Sequence, residues 1–220
     1  MLEVLYEDNH LIAINKKSGD IVQGDKTGDT PLSDFVKAYI KKKYKKPGEV
    51  FLVTIHRLDR PTSGIVLYAR TSKALSRMNE QFREKQLQKT YWAVVDNAPP
   101  NNSGTLDNYL QKNQKQNKSY VTKNKVGKNV VLDYKLLKKL DNFYHLEIKP
   151  KTGRHHQIRT QLAHIGCIIK GDLKYGAKRS NKDASIHLLA QKLEFIHPVK
   201  KVPVTIVASA PKDSVWEACG

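Results

Sequence analysis

Apolar residues recur along this chain with two periods, and the switches between them mark out its elements. Short runs rich in β-branched residues and bounded by turn residues predict strands at 4–7 and 11–15, separated by Asp8-Asn9 as a hairpin or paired edge. Further runs predict strands at 51–55, 65–69 and 90–95, then a long pair at 130–140 and 143–148 joined by Asp141-Asn142. The tail, from Ile186 to Val207, reads as strands interrupted by Pro198 and Pro203, residues that belong at edges or turns. Three segments instead carry the helical spacing. In the first, Thr30-Pro31 stands as N-cap and first helical residue before Leu32, Phe35, Val36, Tyr39 and Ile40, predicting a helix to about Tyr44. In the second, Thr71-Ser72 caps a helix to about Glu84 with Leu75, Met78 and Phe82 on its apolar stripe. In the third, residues 154–165 place Ile158, Leu162 and Ile165 on one face and Gly166 at the left-handed cap. Residues 111–128 show neither period and read as a mobile basic loop.

Length bounds this pattern to one sizeable core, and no linker divides it, so a single domain over residues 1–220 is expected. Charge narrows the partner. With 39 Lys and Arg against 21 Asp and Glu, the net charge of +18 exceeds what solubility needs and points to a polyanion. No run approaches the ~18 apolar residues of a membrane span, and no basic amphipathic helix carries Trp or Phe along one face, so nucleic acid is favoured over a membrane surface. The opening residues lack the pattern of a signal peptide, which leads to an expectation of the cytoplasm. Cys167 and Cys219 are too few for a disulfide framework or thiolate metal site and read as free thiols.

Candidate chemistry concentrates in two places. Residues 56–64, HRLDRPTSG, put one carboxylate, Asp59, between the guanidinium groups of Arg57 and Arg60, with His56, two hydroxyls, and a Pro and Gly that restrict the backbone. The polar loop sits between two predicted strands, a rigid mounting for a site, although an ordinary surface ion pair would look the same. In the second segment His155 precedes Arg159 by one turn and Arg154 lies in the opening turn, so their donors would project from one helix end; taken alone it is a helix with a wet face. A metal site is not expected, because His155 and His156 are adjacent, His164 is two or more turns away, and no carboxylate lies at a ligand spacing. The six lysines of 111–128 would meet phosphates or simply be solvated.

These two segments, HRLDRPTSG at 56–64 and TGRHHQIRTQLAHIGCIIKGDLKYG at 152–176, resemble the paired motifs of the RluA-type pseudouridine synthases, which isomerise selected uridines in ribosomal and transfer RNA. VLYEDNHLIAINKKSG at 4–19, QKTYWAVV at 88–95 and IHLLAQKLEFIHP at 186–198 extend the resemblance over nearly the whole chain. The resemblance implies an α+β fold with a large mixed, mostly antiparallel sheet and flanking helices and loops around a basic cleft. It implies Asp59 as catalytic carboxylate, Tyr91 as the residue packing on the target uracil and a candidate for the proton step at C5, and Arg159 as the partner of that carboxylate. Arg57 matches the arginine that helps displace the target base. The other polar residues of the motifs, His56, Arg60, Thr62, Arg154, His156 and Gln157, with Lys115, Lys118 and Lys123 of the basic loop, are candidate RNA contacts. Two positions depart from the pattern: Lys17 stands where proline is common, and Gln161 where a histidine commonly follows the QIR segment. The chain also starts at the catalytic domain, without the N-terminal S4-like domain of larger relatives, so RNA selection would fall to its own loops.

The chemistry suits these residue types. Uridine isomerisation breaks a C–N glycosidic bond and rejoins the same ribose carbon to C5 of uracil, with no redox change, so no cofactor is expected. It needs an ionised carboxylate, which an adjacent arginine favours, and a wall that retains the free base. The expected partner is structured RNA, ribosomal or transfer, with no obligate protein partner. The alternative is an RNA-binding module that keeps the cleft without turnover; a nucleoside hydrolase is disfavoured, since a small substrate does not call for such a basic surface.

Overall fold

The computed structural model describes residues 2–24, 28–123 and 125–220; Asp25 to Thr27 of the Gly/Asp-rich loop and Asn124 of the basic stretch lie outside the described residues. In chain order the elements are β1 (Val4–Glu7), β2 (Leu11–Lys16), α1 (Leu32–Lys43), β3 (Val53–Thr54), β4 (Ser63–Ala69), α2 (Ser72–Arg83), β5 (Gln88–Val95), β6 (Ser103–Asn113), β7 (Lys118–Thr122), β8 (Lys128–Lys139), β9 (Tyr144–Pro150), α3 (Gln157–His164), β10 (Leu188–Ile196), β11 (Pro203–Val207) and α4 (Ser214–Cys219). A 3-10 turn at Leu173–Tyr175 lies between α3 and β10. This is the α+β composition expected. Among the described residues no helix is long and apolar enough to cross a membrane.

The chain divides into two compact units. The first, Met1–Gln88 with Ala190–Ala210, carries strands in the order β1-β2-β4-β10, with β11 on β10 and β3 on β4. The hairpin predicted around Asp8-Asn9 is β1/β2, and β2 pairs antiparallel with β4 from Leu11↔Ala69 to Lys16↔Gly64. Alternation along these strands sends Ile12, Ile14, Val66 and Tyr68 to one face, where Leu32, Val36 and Ile40 of α1 cover them. The α1 cap differs from expectation: Pro31, not Thr30, holds the N-cap position. One exposed amide is met from a distant loop instead, since the Leu32 N–H donates to the Ile21 carbonyl at 2.8 Å. Thr71 caps α2 as expected, accepting from the Ala74 amide. The predicted strand at 51–55 shrinks to β3. It pairs with Tyr68 and Ala69; beyond it the Ile55 amide still donates to the Leu67 carbonyl at 3.1 Å, but the Leu67 amide goes to the His56 ring instead of a ladder carbonyl, and Phe51 stays exposed.

The second unit, Lys89–Leu189 with Pro211–Gly220, orders its strands β5-β9-β8-β6-β7, each neighbouring pair antiparallel. Ala93, Val95, Leu132, Leu146 and Ile148 form one face of this sheet, closed by Ile158 and Leu162 of α3. The stretch expected to be a mobile loop is instead an ordered hairpin, β6/β7, registered from Tyr109↔Thr122 to Asn113↔Lys118. The hairpin buries Leu110 of β6, but the buried side chain of β7 is Ser119, polar and held by hydrogen bonds, so β7 carries no hydrophobic alternation for a sequence reading to find. Helix α4 was also unforeseen; Asp213 caps it by accepting from the Val215 and Trp216 amides.

On the other side of β5, Trp92 and Trp216 meet the His145 ring edge-on, with centroids 5.0 and 6.3 Å away. His145 is buried, and neither ring nitrogen has a hydrogen-bond partner among the described residues. Burial, aided by the nearby Lys138, pulls its pKa from 6.5 down to about 4. Between those values the unfolded chain takes up a proton that the folded chain refuses, so stability falls as the pH drops. In urea unfolding followed by tryptophan fluorescence, the wild type is expected to lose about 2.5 kcal/mol more than the His145→Phe variant between pH 7 and pH 4.5. His187, whose pKa is also lowered by burial, contributes in the same direction to both proteins.

Candidate functional site

The polar loop of the first unit runs from β3 to β4, and its backbone is fastened at the carbonyls of Asp59, Arg60 and Thr62. The Thr62 amide donates to the Asp59 carbonyl at 3.0 Å, and the Gly19 amide to the Arg60 carbonyl at 3.0 Å. The ammonium of Lys16 does the rest, donating to the carbonyls of Thr62 at 2.7 Å, Lys17 at 2.9 Å and Arg60 at 3.0 Å. Three N–H bonds meet three acceptors. Lys16 is only 1% exposed, on the same face of β2 as Ile12 and Ile14. Burial lowers its pKa from 10.5 to about 8, with Asp20 and Asp59 opposing the fall and Arg60 adding to it. Where the loop enters β4, Gly64 takes φ +111°, and a Cβ there would lie 2.3 Å from the Ala190 carbonyl oxygen, so only glycine fits.

On this fastened backbone Asp59 is half-buried, while Arg57 and Arg60 point into solvent. Arg60 meets Asp29 at 2.8 Å in an exposed ion pair of small energetic weight. His56 accepts from the Leu67 amide through Nε2 at 3.3 Å and stacks on Phe82 of α2, centroids 5.5 Å apart. Thr62, a candidate RNA contact, is buried, its carbonyl committed to Lys16.

The second unit holds the other candidates. Tyr91 is half-buried on β5, opposite Ile148 of β9 and packed against the core that contains Ala93 and Val95. Helix α3 begins only at Gln157, after His156 in a left-handed conformation at φ +52°, so Arg154 and His155 lie in the preceding turn and not on the helix. The expected wet face is absent: Gln157, Arg159, Thr160 and Gln161 are all buried. Each has found internal partners. Gln157 accepts from the Thr152 hydroxyl and the Arg154 amide and donates to the Val131 carbonyl, tying the turn to β8. Gln161 donates to the Leu106 carbonyl and the Asn108 side chain of β6. His156 and Gln157 therefore serve the turn's architecture, whereas Arg154 is exposed.

Arg159 engages Asp172 in a two-pronged pair, Nε to Oδ2 at 2.7 Å and Nη2 to Oδ1 at 2.8 Å, with both side chains buried. Tyr175 lies beneath, its ring centroid 5.1 Å from the guanidinium carbon. The Tyr175 hydroxyl is a hub, 2.9 Å from His156 Nδ1 and accepting from the Ser119 amide and the Thr160 hydroxyl. Sequence reasoning missed Lys16, Asp172 and Tyr175. Lys115 and Lys123 are exposed; Lys118 lies between the Tyr120 and Tyr175 rings, 5.3 and 5.0 Å from their centroids. Among the described residues no His, Cys, Asp and Glu group could hold a metal ion.

A family described as RNA pseudouridylate synthase matches residues 10–164. The chain is 32% identical to ribosomal large subunit pseudouridine synthase D of Xylella fastidiosa over 96% of its own length and 67% of that protein's. It is 32% identical to tRNA pseudouridine synthase C of Pectobacterium carotovorum, of which it spans 61%, and 33% identical to the protein of the same name from Vibrio vulnificus, of which it spans 93%. It shares its fold with human RNA pseudouridylate synthase domain containing 4, with a TM-score of 0.79 over 99% of this chain and 91% of that one at 23% identity.

If Lys16 holds the loop, Lys16→Met should expose the change locally and globally. Leaving the carbonyl of buried Thr62 without its ammonium donor is expected to cost about 1–3 kcal/mol in urea unfolding. Hydrogen exchange at the Thr62 amide, whose turn the ammonium braces, is expected to quicken at least tenfold.

Proposed function

The chain belongs to the RNA pseudouridylate synthase family, and we propose that it converts specific uridines of structured RNA, ribosomal or transfer, to pseudouridine, with Asp59 as the catalytic carboxylate and no cofactor. The observation that carries this reading is the fastened loop: a half-buried carboxylate on a backbone held by Lys16, Gly19 and Thr62. Such mounting suits a group that must meet one atom of a substrate, since catalysis is sensitive to small displacements.

In this reading Asp59 reacts with the target nucleotide as the bond from N1 of uracil to the ribose carbon breaks. The detached base turns, C5 bonds to that carbon, and the proton of C5 is released while N1 gains one. Tyr91 provides the wall against which the base turns and is the candidate to handle the C5 proton. Arg159, whose guanidinium is aimed by Asp172, is by resemblance the candidate partner of the catalytic carboxylate. The target base must leave its stack, at a cost of a few kcal/mol, and exposed Arg57 is placed on the loop that would receive it. Arg154, Lys115 and Lys123 are free to meet phosphates, and the cytoplasm is the proposed compartment.

Tritium release from RNA labelled at uracil C5 tests the reaction. Asp59→Asn is expected to abolish release with RNA binding largely kept; appreciable turnover would remove Asp59 from its role, and no release by the wild type from any RNA pool would leave an RNA-binding protein without turnover. Tyr91→Phe retains the ring and loses the hydroxyl. Lost activity with binding preserved would support the proton role, while full activity would reduce Tyr91 to a wall.

A further inference from the structure

The β6/β7 hairpin and the segment after Asp172 meet at one lysine. Lys174 donates to the carbonyls of Gln116 at 3.3 Å and Asn117 at 3.2 Å, the two residues that end the hairpin turn. Beyond Lys174, the loop displays Lys178, Arg179 and Lys182, all exposed. That loop is built, not slack: Asn181 accepts from the Lys170 ammonium at 2.6 Å and donates to the Ser185 carbonyl at 3.0 Å. Gly171, at φ +87°, admits Asn181 where a Cβ would lie 2.7 Å from its amide nitrogen. The one carboxylate in the loop, Asp183, is engaged by the amide and hydroxyl of Ser185.

The hairpin contributes an aromatic ring as well as charge. Tyr120 is 40% exposed, with its hydroxyl on Gln116 and the Lys118 ammonium 5.3 Å from its ring. Together with Gln111, Lys112, Asn113 and Thr122 it lines an open depression. An exposed ring among polar side chains, bordered by cations and with no carboxylate among the residues that line the depression, has the chemistry that stacks an unpaired base and tracks its phosphates. A duplex would offer this ring no base face.

We infer that this surface is an accessory site for an unpaired RNA segment, in which a base stacks on Tyr120 and the phosphates are met by Lys112 and Lys115 on the hairpin and by Lys178, Arg179 and Lys182 across the Lys174 bridge. The inference rests on RNA being the substrate and adds where, outside the 56–64 loop, and in what form the RNA is held.

Binding of fluorescently labelled single-stranded and duplex RNA, measured over a range of salt, tests it alongside tritium release in the same preparations. Tyr120→Ala is expected to weaken single-strand binding about tenfold or more, and Tyr120→Phe, which keeps the ring, to restore it. Lys178→Gln, Arg179→Gln and Lys182→Gln together are expected to flatten the salt dependence of single-strand affinity by about 2 in log–log slope. In turnover the loss is expected to fall mainly on KM. Wild-type affinity and salt slope in both variants, with Asp59-dependent release intact, would overturn the accessory site and leave the isomerase standing. Equal weakening for duplex RNA by Tyr120→Ala would overturn base stacking. Tyr120-dependent binding without release from any RNA pool would support the surface and count against the proposed reaction instead.

Discussion

A buried ammonium group surrounded by main-chain carbonyls is the constraint on which the first unit depends. Loops that display charge are ordinarily mobile, because their backbone groups can be satisfied as well by water as by protein. Around Asp59 that freedom is removed. Lys16 brings three donors from a buried side chain, and they meet the Thr62 carbonyl, the Lys17 carbonyl and the Arg60 carbonyl that the Gly19 amide also holds. The ion itself is held at the cost of desolvation, visible in a pKa drawn down to about 8. Asp20 and Asp59 oppose that fall, each favouring the protonated lysine.

The second unit solves a similar problem with a different cation. Arg159 is aimed rather than merely anchored, since a planar guanidinium with two parallel N–H bonds to one carboxylate has its plane fixed, which a compact ammonium could not achieve. A buried ion pair of this kind adds little net stability, because desolvation offsets much of the attraction. What it supplies is direction. Tyr175 reinforces that by closing one face of the guanidinium while its hydroxyl binds the turn before α3, the helix itself and the hairpin β6/β7. Hairpin, turn and helix are therefore registered on one phenol oxygen.

The sequence pattern was sufficient for elements whose burial is apolar and fell short where burial is polar. Strands β2, β4, β5, β8 and β9 and helices α1 and α2 are found close to where periodicity puts them, because Ile, Val and Leu on one face leave a clear trace. The hairpin β6/β7 left little: apart from Leu110, its buried residue is the polar Ser119, and Lys, Gln and Tyr stand outside. Helix α3 was seen by its apolar stripe, yet its polar residues were taken as wet, when Gln157, Arg159 and Gln161 bond inward to carbonyls and a carboxylate that lie far away in sequence. Lys16 was open to detection. It shares the parity of Ile12 and Ile14, and a lysine on the apolar face of a strand must bring acceptors with it. Asp172 and Tyr175 stood inside a quoted motif, but no local spacing tells which of a motif's residues aims another.

The excess of cations also divides by burial into two kinds of work. Lys16 and Arg159 are enclosed, so salt in the surrounding water screens them weakly and the geometry they impose should be indifferent to ionic strength. Lysines such as Lys112, Lys115 and Lys178 stand in solvent, where each phosphate they meet releases counterions and where salt competes directly. The formal charge of +18 is thus not one property. Two interior cations fix backbone and side-chain geometry, Lys16 at the 56–64 loop and Arg159 against Asp172, while the exterior ones are open to a polyanion in solvent, so that under the proposed function chemistry and affinity rest on separate residues and can change independently.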